Sequence, residues 1–198
     1  MSLIAKEERL VRLSAAIALG RADVLATLRR SAPPGEPDRT WREVVLQTHL
    51  FAGFPRVVEA CGVLAAHGGL GAPEEAELED AADPAAGRAL FDAIYGDQSA
   101  EVRAALRSFH PLLERWVAEH AYARGLARGG LAADRRELCA VAALAVLGSE
   151  RQLAAHARGA VRLGAPRDDV EATLTVIADL IEDSRRERVR EIALQYAR

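Results

Sequence analysis

The chain has 198 residues, enough for one large domain or two small ones with a real core. Half of them are hydrophobic, alanine is abundant, aromatics make up only 5%, and the formal net charge is −3. This composition favours helices over strands and gives no reason to expect a nucleic acid or a membrane surface as partner.

Residues 5–31 carry Leu10, Leu13, Ile17, Val24, Leu25 and Leu28 at three- and four-residue spacings, which predicts helix, interrupted at Leu19-Gly20-Arg21. Closely spaced prolines make residues 31–37 a loop. Thr40 and Glu43 have the spacing of a capping box, opening a helix with Val44, Val45, Leu46, Leu50 and Phe51. Gly53-Phe54-Pro55 breaks it, and helix resumes over 56–66. Residues 67–87 hold six acidic side chains and no arginine or lysine, the composition of a solvated linker. Short helices follow over 88–95 and 100–109, then a longer one from Pro111 that ends at Gly129-Gly130. The last helices are predicted at 134–147, 149–163, from Pro166 onward, and 184–197.

The two cysteines, Cys61 and Cys139, form no CxxC and no zinc set, which fits a reduced cytoplasmic protein with no bound metal. The first residues show no signal-peptide core, and no apolar run is read as membrane-spanning.

An offset of 128 residues brings Gly20 onto Gly148 without gaps. At that offset Leu10 meets Leu138, Leu19 meets Leu147, Leu25-Ala26 meets Leu153-Ala154, Arg30 meets Arg158, and Glu43 meets Glu171. A predicted helix-turn-helix falls at the same place in both copies. This predicts an all-α fold with a duplicated helical hairpin, its two copies packed about a pseudo-twofold axis.

The second copy reads Arg136-Glu137-Leu138, Ala142-Ala143-Leu144-Ala145, Leu147-Gly148, Gln152-Leu153, His156, Arg158-Gly159-Ala160 and Gly164. In these residues the chain resembles the carboxymuconolactone decarboxylase family, whose fold is shared with the alkyl hydroperoxidase D-like proteins. The run from Glu43 to Pro55 is similar to the family's following helix. Leu90-Phe91, Tyr95-Gly96, His110-Pro111 and Gly129-Gly130-Leu131 are similar to the segment before its core. The resemblance implies a degenerate first repeat over 1–66, an acidic linker over 67–87, and a second repeat with the candidate site over 88–198.

The redox branch of that family uses a glutamate, a CxxC pair and a histidine. Carried over, these positions are Glu137, Ser149, Gln152 and His156. Serine and glutamine form no disulfide, so peroxide reductase chemistry is not expected. In the first copy the four places hold Arg9, Arg21, Val24 and Leu28, an empty site.

Glu137 lies eleven residues before Gly148 and His156 eight after it. In an antiparallel hairpin their levels differ by roughly 4–5 Å, so a contact is feasible. Such a pair suits Glu137 to orient His156 as a proton donor. The decarboxylase branch implies loss of carbon dioxide from a small lactone acid without a cofactor. The candidate substrate-binding residues are Ser149, Gln152, Arg158 and His49, with Arg136 as another possible carboxylate anchor. Read structurally, Ser149-x-x-Gln152 is also a capping box, and a buried histidine paired with a carboxylate need have no catalytic role. His110 and His120 read as structural, and Cys139 as a small buried residue.

The leading expectation is a cofactor-free carboxy-lyase acting on a small carboxylated lactone or similar metabolite. The alternative is a non-catalytic oligomeric or ligand-binding member of the fold, and a peroxidase-supporting reductase ranks last. The apolar faces, the duplication and the ring-forming relatives suggest a homo-oligomer, a trimer by analogy.

Overall fold

The computed structural model describes residues 3–78 and 81–198; residues 1–2 and positions 79–80 of the acidic linker lie outside the described residues. Every element among the described residues is helical, with no strand.

The fold is organised around α1 (Ala5–Leu19) and α7 (Ala133–Leu147), which pack against each other at its centre. Both present small residues at the contact: Ala15 and Ala16 on one helix, Ala140, Ala142 and Ala143 on the other, all fully buried. Side chains of this size let two backbones approach closely, and Leu13, Ile17 and Leu138 fill the remaining space.

The two helices end in the same way. Gly20 adopts φ 68° and ψ 33°, and Gly148 adopts φ 70° and ψ 28°. In each turn the next residue's N–H reaches back to the helix, Arg21 to Ala16 O at 2.9 Å and Ser149 to Leu144 O at 3.1 Å. This is a left-handed glycine cap, and a Cβ at either position would be strained. An arginine covers each turn, Arg56 at Gly20 and Arg185 at Gly148. Arg185 also donates to Ala145 O, which accepts from the Gly148 N–H as well, and to Val146 O at the end of α7. Then α2 (Ala22–Ser31) and α8 (Glu150–Arg162) fold back along their hairpins. α3 (Arg39–Ala66) packs on α1 and α2, as α9 (Arg167–Val176) packs on α7 and α8. The duplicated hairpin expected from the 128-residue offset is therefore present. α10 (Asp183–Tyr196) closes the chain against α8 and α9.

Several local readings change. The N-cap of α3 is Asp38, whose carboxylate accepts from the Thr40 N–H at 2.9 Å, so Thr40 and Glu43 form no capping box. Glu43 is fully buried instead, while Glu171, its partner in the repeat, pairs with Arg190 near the surface. α3 continues past Gly53 (φ 79°, ψ 162°) and Pro55 with a kink rather than a clean break. By length and composition alone it is long and apolar enough to cross a membrane, contrary to the expectation that no such run exists. Its first half holds Trp41, Glu43, Gln47 and Thr48 in the core.

α4 (Pro84–Tyr95) starts inside the expected linker, capped by Asp83. After α5 (Ser99–Phe109), the helix from Pro111 is α-helical only through Trp116 (α6), and Val117–Leu126 is π-helical. This π segment packs tightly on α4: a Cβ on Gly87 would stand 2.6 Å from Ala123 Cα.

Candidate functional site

Glu137 projects from α7 and His156 from α8, one on each arm of the second hairpin. His156 Nδ1 lies 2.8 Å from Glu137 Oε2. Both side chains are buried, Glu137 at 1% exposure and His156 at 6%. A carboxylate bonded to Nδ1 fixes the ring and leaves Nε2 for a further partner. Phe51, from α3, meets the imidazole edge-on at 5.5 Å between ring centres. Gly159 makes room for the pair, since a Cβ there would stand 2.6 Å from Glu137 Oε2 and 3.1 Å from Ile94.

Two tyrosines complete this setting. Tyr122, on the π segment, directs its hydroxyl to the Tyr95 hydroxyl on α4 at 3.4 Å. Phe91 packs on both rings, at 4.4 Å from Tyr95 and 4.7 Å from Tyr122. Burial pushes both phenols up, Tyr122 well above its ordinary value, and the nearby negative charge of Glu137 adds to the shift in each. Both hydroxyls therefore stay protonated at neutral pH and can donate hydrogen bonds. Neither tyrosine was singled out from the sequence as a site residue. The available signal was Tyr95-Gly96 in the segment before the core, together with Tyr122 on an apolar helix face.

The structure brings together only Glu137 and His156 of the expected site residues. Ser149 occupies the N-cap of α8 half-buried, but its side chain makes no capping hydrogen bond, and Gln152 is exposed. The expected Ser149–Gln152 capping box is therefore not formed. Arg158 donates to Gln98 Oε1 at 2.8 Å and lies over the Tyr196 ring at 5.0 Å. His49 stacks on Phe54 at 4.7 Å and contacts the Leu46 carbonyl through Nδ1; its Nε2 lies 2.7 Å from His120 Nε2. A carbonyl only accepts, so this pairing requires the proton on His49 Nδ1 and makes His120 Nε2 the donor. His110, read as structural, caps α6 by accepting from the Leu112 N–H at 3.1 Å.

Arg136 is a buried core group rather than an open carboxylate anchor. It donates to Glu43 at 2.8 Å, to Gln47 at 3.1 Å, and to the carbonyls of Arg128 and Gly129. Burial pushes the Glu43 carboxyl up, but Arg128 and Arg136 overcome that and hold it below the usual carboxylate range. This cluster ties α3 to α7 behind the site.

In the first copy, Arg9 pairs with Glu36 at 2.7 Å, Arg21 pairs with Asp23, and Val24 and Leu28 are buried. No carboxylate–histidine pair occupies the corresponding place. Cys139 is buried and its thiol is pushed up to about 12 by burial. Among the described residues no group of three or more His, Cys, Asp and Glu side chains could hold a metal ion.

Residues 111–195 match the sequence model of the carboxymuconolactone decarboxylase family. The match takes in the π segment with Tyr122 and the hairpin carrying Glu137 and His156. No curated protein matches the chain.

Proposed function

From a chain whose residues 111–195 form a domain of the carboxymuconolactone decarboxylase family, we propose a cofactor-free carboxy-lyase acting on a small carboxylated lactone or a similar metabolite. The observation that carries this reading is the buried Glu137–His156 contact at 2.8 Å beside two protonated tyrosine hydroxyls.

Decarboxylation breaks the bond between the ring carbon and the carboxylate and releases carbon dioxide. The electron pair passes into the conjugated lactone carbonyl, and a proton must then reach carbon. His156 supplies that proton from Nε2, while Glu137 holds the ring through Nδ1. In this reading Tyr95, which accepts from Tyr122, donates its own hydroxyl proton to the developing enolate oxygen, where a fixed donor in a dry site acts most strongly. With Ser149 and Gln152 in place of a CxxC, the domain has no disulfide for peroxide chemistry.

The test is turnover of a carboxymuconolactone, followed by carbon dioxide release. Saturable turnover that disappears in His156→Asn supports the lyase. Turnover unchanged in that variant, or none in the wild type across a panel of lactone acids, rejects it.

We also propose assembly with copies of the same chain, with a trimer as the expected form. The supporting observation is a set of large apolar side chains left in solvent, Phe54 and Val58 on α3, Phe109 on α5 and Trp116 on α6, each at least 63% exposed. Sedimentation equilibrium tests it, and a monomer at micromolar concentration would reject it.

A further inference from the structure

We propose that the cavity between α4, α5 and the start of the π segment binds a small molecule bearing an oxyanion, a carboxylate or a phosphate, held by Arg103 and Arg88. The cavity has a volume of about 250 Å³, with Gly87 and Phe91 in its lining. That is below the roughly 300–1,000 Å³ of drug-sized sites, so the occupant is small.

Arg103 lies over the Phe91 ring, with Cζ 4.8 Å from its centre. Its Nε is buried and has no hydrogen-bond partner. Buried donors are almost always satisfied, so an orphaned guanidinium N–H lining a cavity points to a missing acceptor. Arg88, also in the lining, has no ion-pair partner among the described residues. The lining also holds Glu114, Glu119 and Arg115: Glu119 lies 3.1 Å from Arg115, and Glu114 lies 3.9 Å from Arg107. Three arginines against two carboxylates leave the lining with an excess of positive charge, so an anion can enter the space. A planar fork presents paired donors to either a carboxylate or a phosphate. The ring beneath Arg103 restricts that fork to one plane.

Phe91 also packs on Tyr95 and Tyr122, so an occupant would touch the back of the aromatic wall beside Glu137. The anion site does not depend on the lyase reading, because none of its groups takes part in the proposed proton transfer.

The experiment is calorimetric titration of the full chain with benzoate and, separately, with inorganic phosphate. Wild type, Arg103→Gln, Arg21→Gln and His156→Asn are compared. The expected result is saturable single-site binding of at least one anion. Loss of a charge-assisted hydrogen bond should weaken it about tenfold or more in Arg103→Gln. Arg21→Gln, which removes an exposed arginine paired with Asp23 outside the cavity lining, and His156→Asn should stay within about twofold of wild type. Binding of benzoate alone assigns a planar carboxylate, and binding of phosphate alone assigns a phosphate. Saturable heat from neither anion, or equal affinity in Arg103→Gln and wild type, overturns the proposal. So does binding lost in His156→Asn but kept in Arg103→Gln. Arg88→Gln, at an exposed position, replaces Arg103→Gln if that variant fails to fold, with the same expected loss.

Discussion

Gly159 stands directly behind Glu137: a Cβ built on the glycine would lie 2.6 Å from the carboxylate Oε2, the oxygen that meets His156. Alanine at 159 therefore displaces the carboxylate from the imidazole. Two effects on stability oppose each other. Replacing glycine inside a helix gains up to about 1 kcal/mol, while overpacking against Glu137 and Ile94 costs about 1–3 kcal/mol. Gly159→Ala is expected to lose up to about 2 kcal/mol and to reduce turnover far more than that loss accounts for. Urea unfolding and steady-state kinetics on the same preparation check it. Unchanged turnover would show that the Glu137 position does not matter to the chemistry.

His156 separates a structural role from a catalytic one through two substitutions. His156→Ala leaves a buried Glu137 carboxylate without its partner, a loss of about 2–4 kcal/mol. Asparagine places an N–H near the position of Nδ1. His156→Asn should therefore recover at least about 1 kcal/mol of that loss while offering no group that transfers a proton. Thermal unfolding reads the first comparison and turnover the second. Equal turnover in His156→Asn and wild type would leave the pair a purely structural contact.

Glu43 accepts from both Arg128 and Arg136 with no exposure to solvent. Removing the carboxylate strands Arg136, itself 1% exposed. Glu43→Ala should cost about 3–5 kcal/mol, the usual result of breaking a buried pair from one side. A double substitution, Glu43→Leu with Arg136→Met, should be markedly less destabilising than Glu43→Ala. Chemical denaturation of wild type and the two variants tests this; a double substitution at least as destabilising as Glu43→Ala would show that stranding Arg136 is not what makes the single loss large.

The elements that could be read from the chain were those set by local rules. Gly20 and Gly148 announced two matching turns because a left-handed cap needs glycine, and both adopt nearly the same φ and ψ. The Glu137–His156 contact followed from helix rise once the turn between them was placed. Glu43 was misread because Thr40 and Glu43 have capping-box spacing, while Asp38 competes for the same N–H and wins. Arg136 was read as a carboxylate anchor for a substrate; only the approach of α3 reveals Glu43 and Gln47 as its partners. Tyr95 and Tyr122 meet across two helices, one of them π-helical, and no spacing rule links them. The wider turn of Val117–Leu126 also has no sequence marker in this chain.

Acid should weaken the contact between the linker and α3. Hydrogen bonding from Arg42 lowers the Glu77 carboxyl to about 2. Arg42 also donates to Leu70 O at 2.9 Å, so the pair fastens both ends of this segment. A carboxyl lowered by folding contributes stability that is full above its unfolded value, near 4.5, and is lost as pH falls toward 2. Glu77→Gln should therefore be less stable than wild type at pH 7, with the difference narrowing from about pH 4.5 downward. Denaturation midpoints across that range check it. A constant difference at every pH would mean that the ion pair contributes nothing to folding.

The two thiols provide the last prediction, which bears on redox chemistry directly. Cys139 is buried in α7, and burial pushes its thiol up to about 12, so almost none is thiolate at pH 8. Cys61 lies on the far half of α3 and is exposed, although partial desolvation raises its thiol too. The thiolate is the reactive form, so access and ionisation act in the same direction at Cys139. An aromatic disulfide reagent should label one thiol slowly in the native chain, and both in denaturant. Mild oxidation should produce no intramolecular disulfide, because one partner is sealed in the core. Reversible formation of a Cys61–Cys139 bond in the native protein would contradict the structure at both residues. It would also reopen a reductase role that Ser149 and Gln152 argue against.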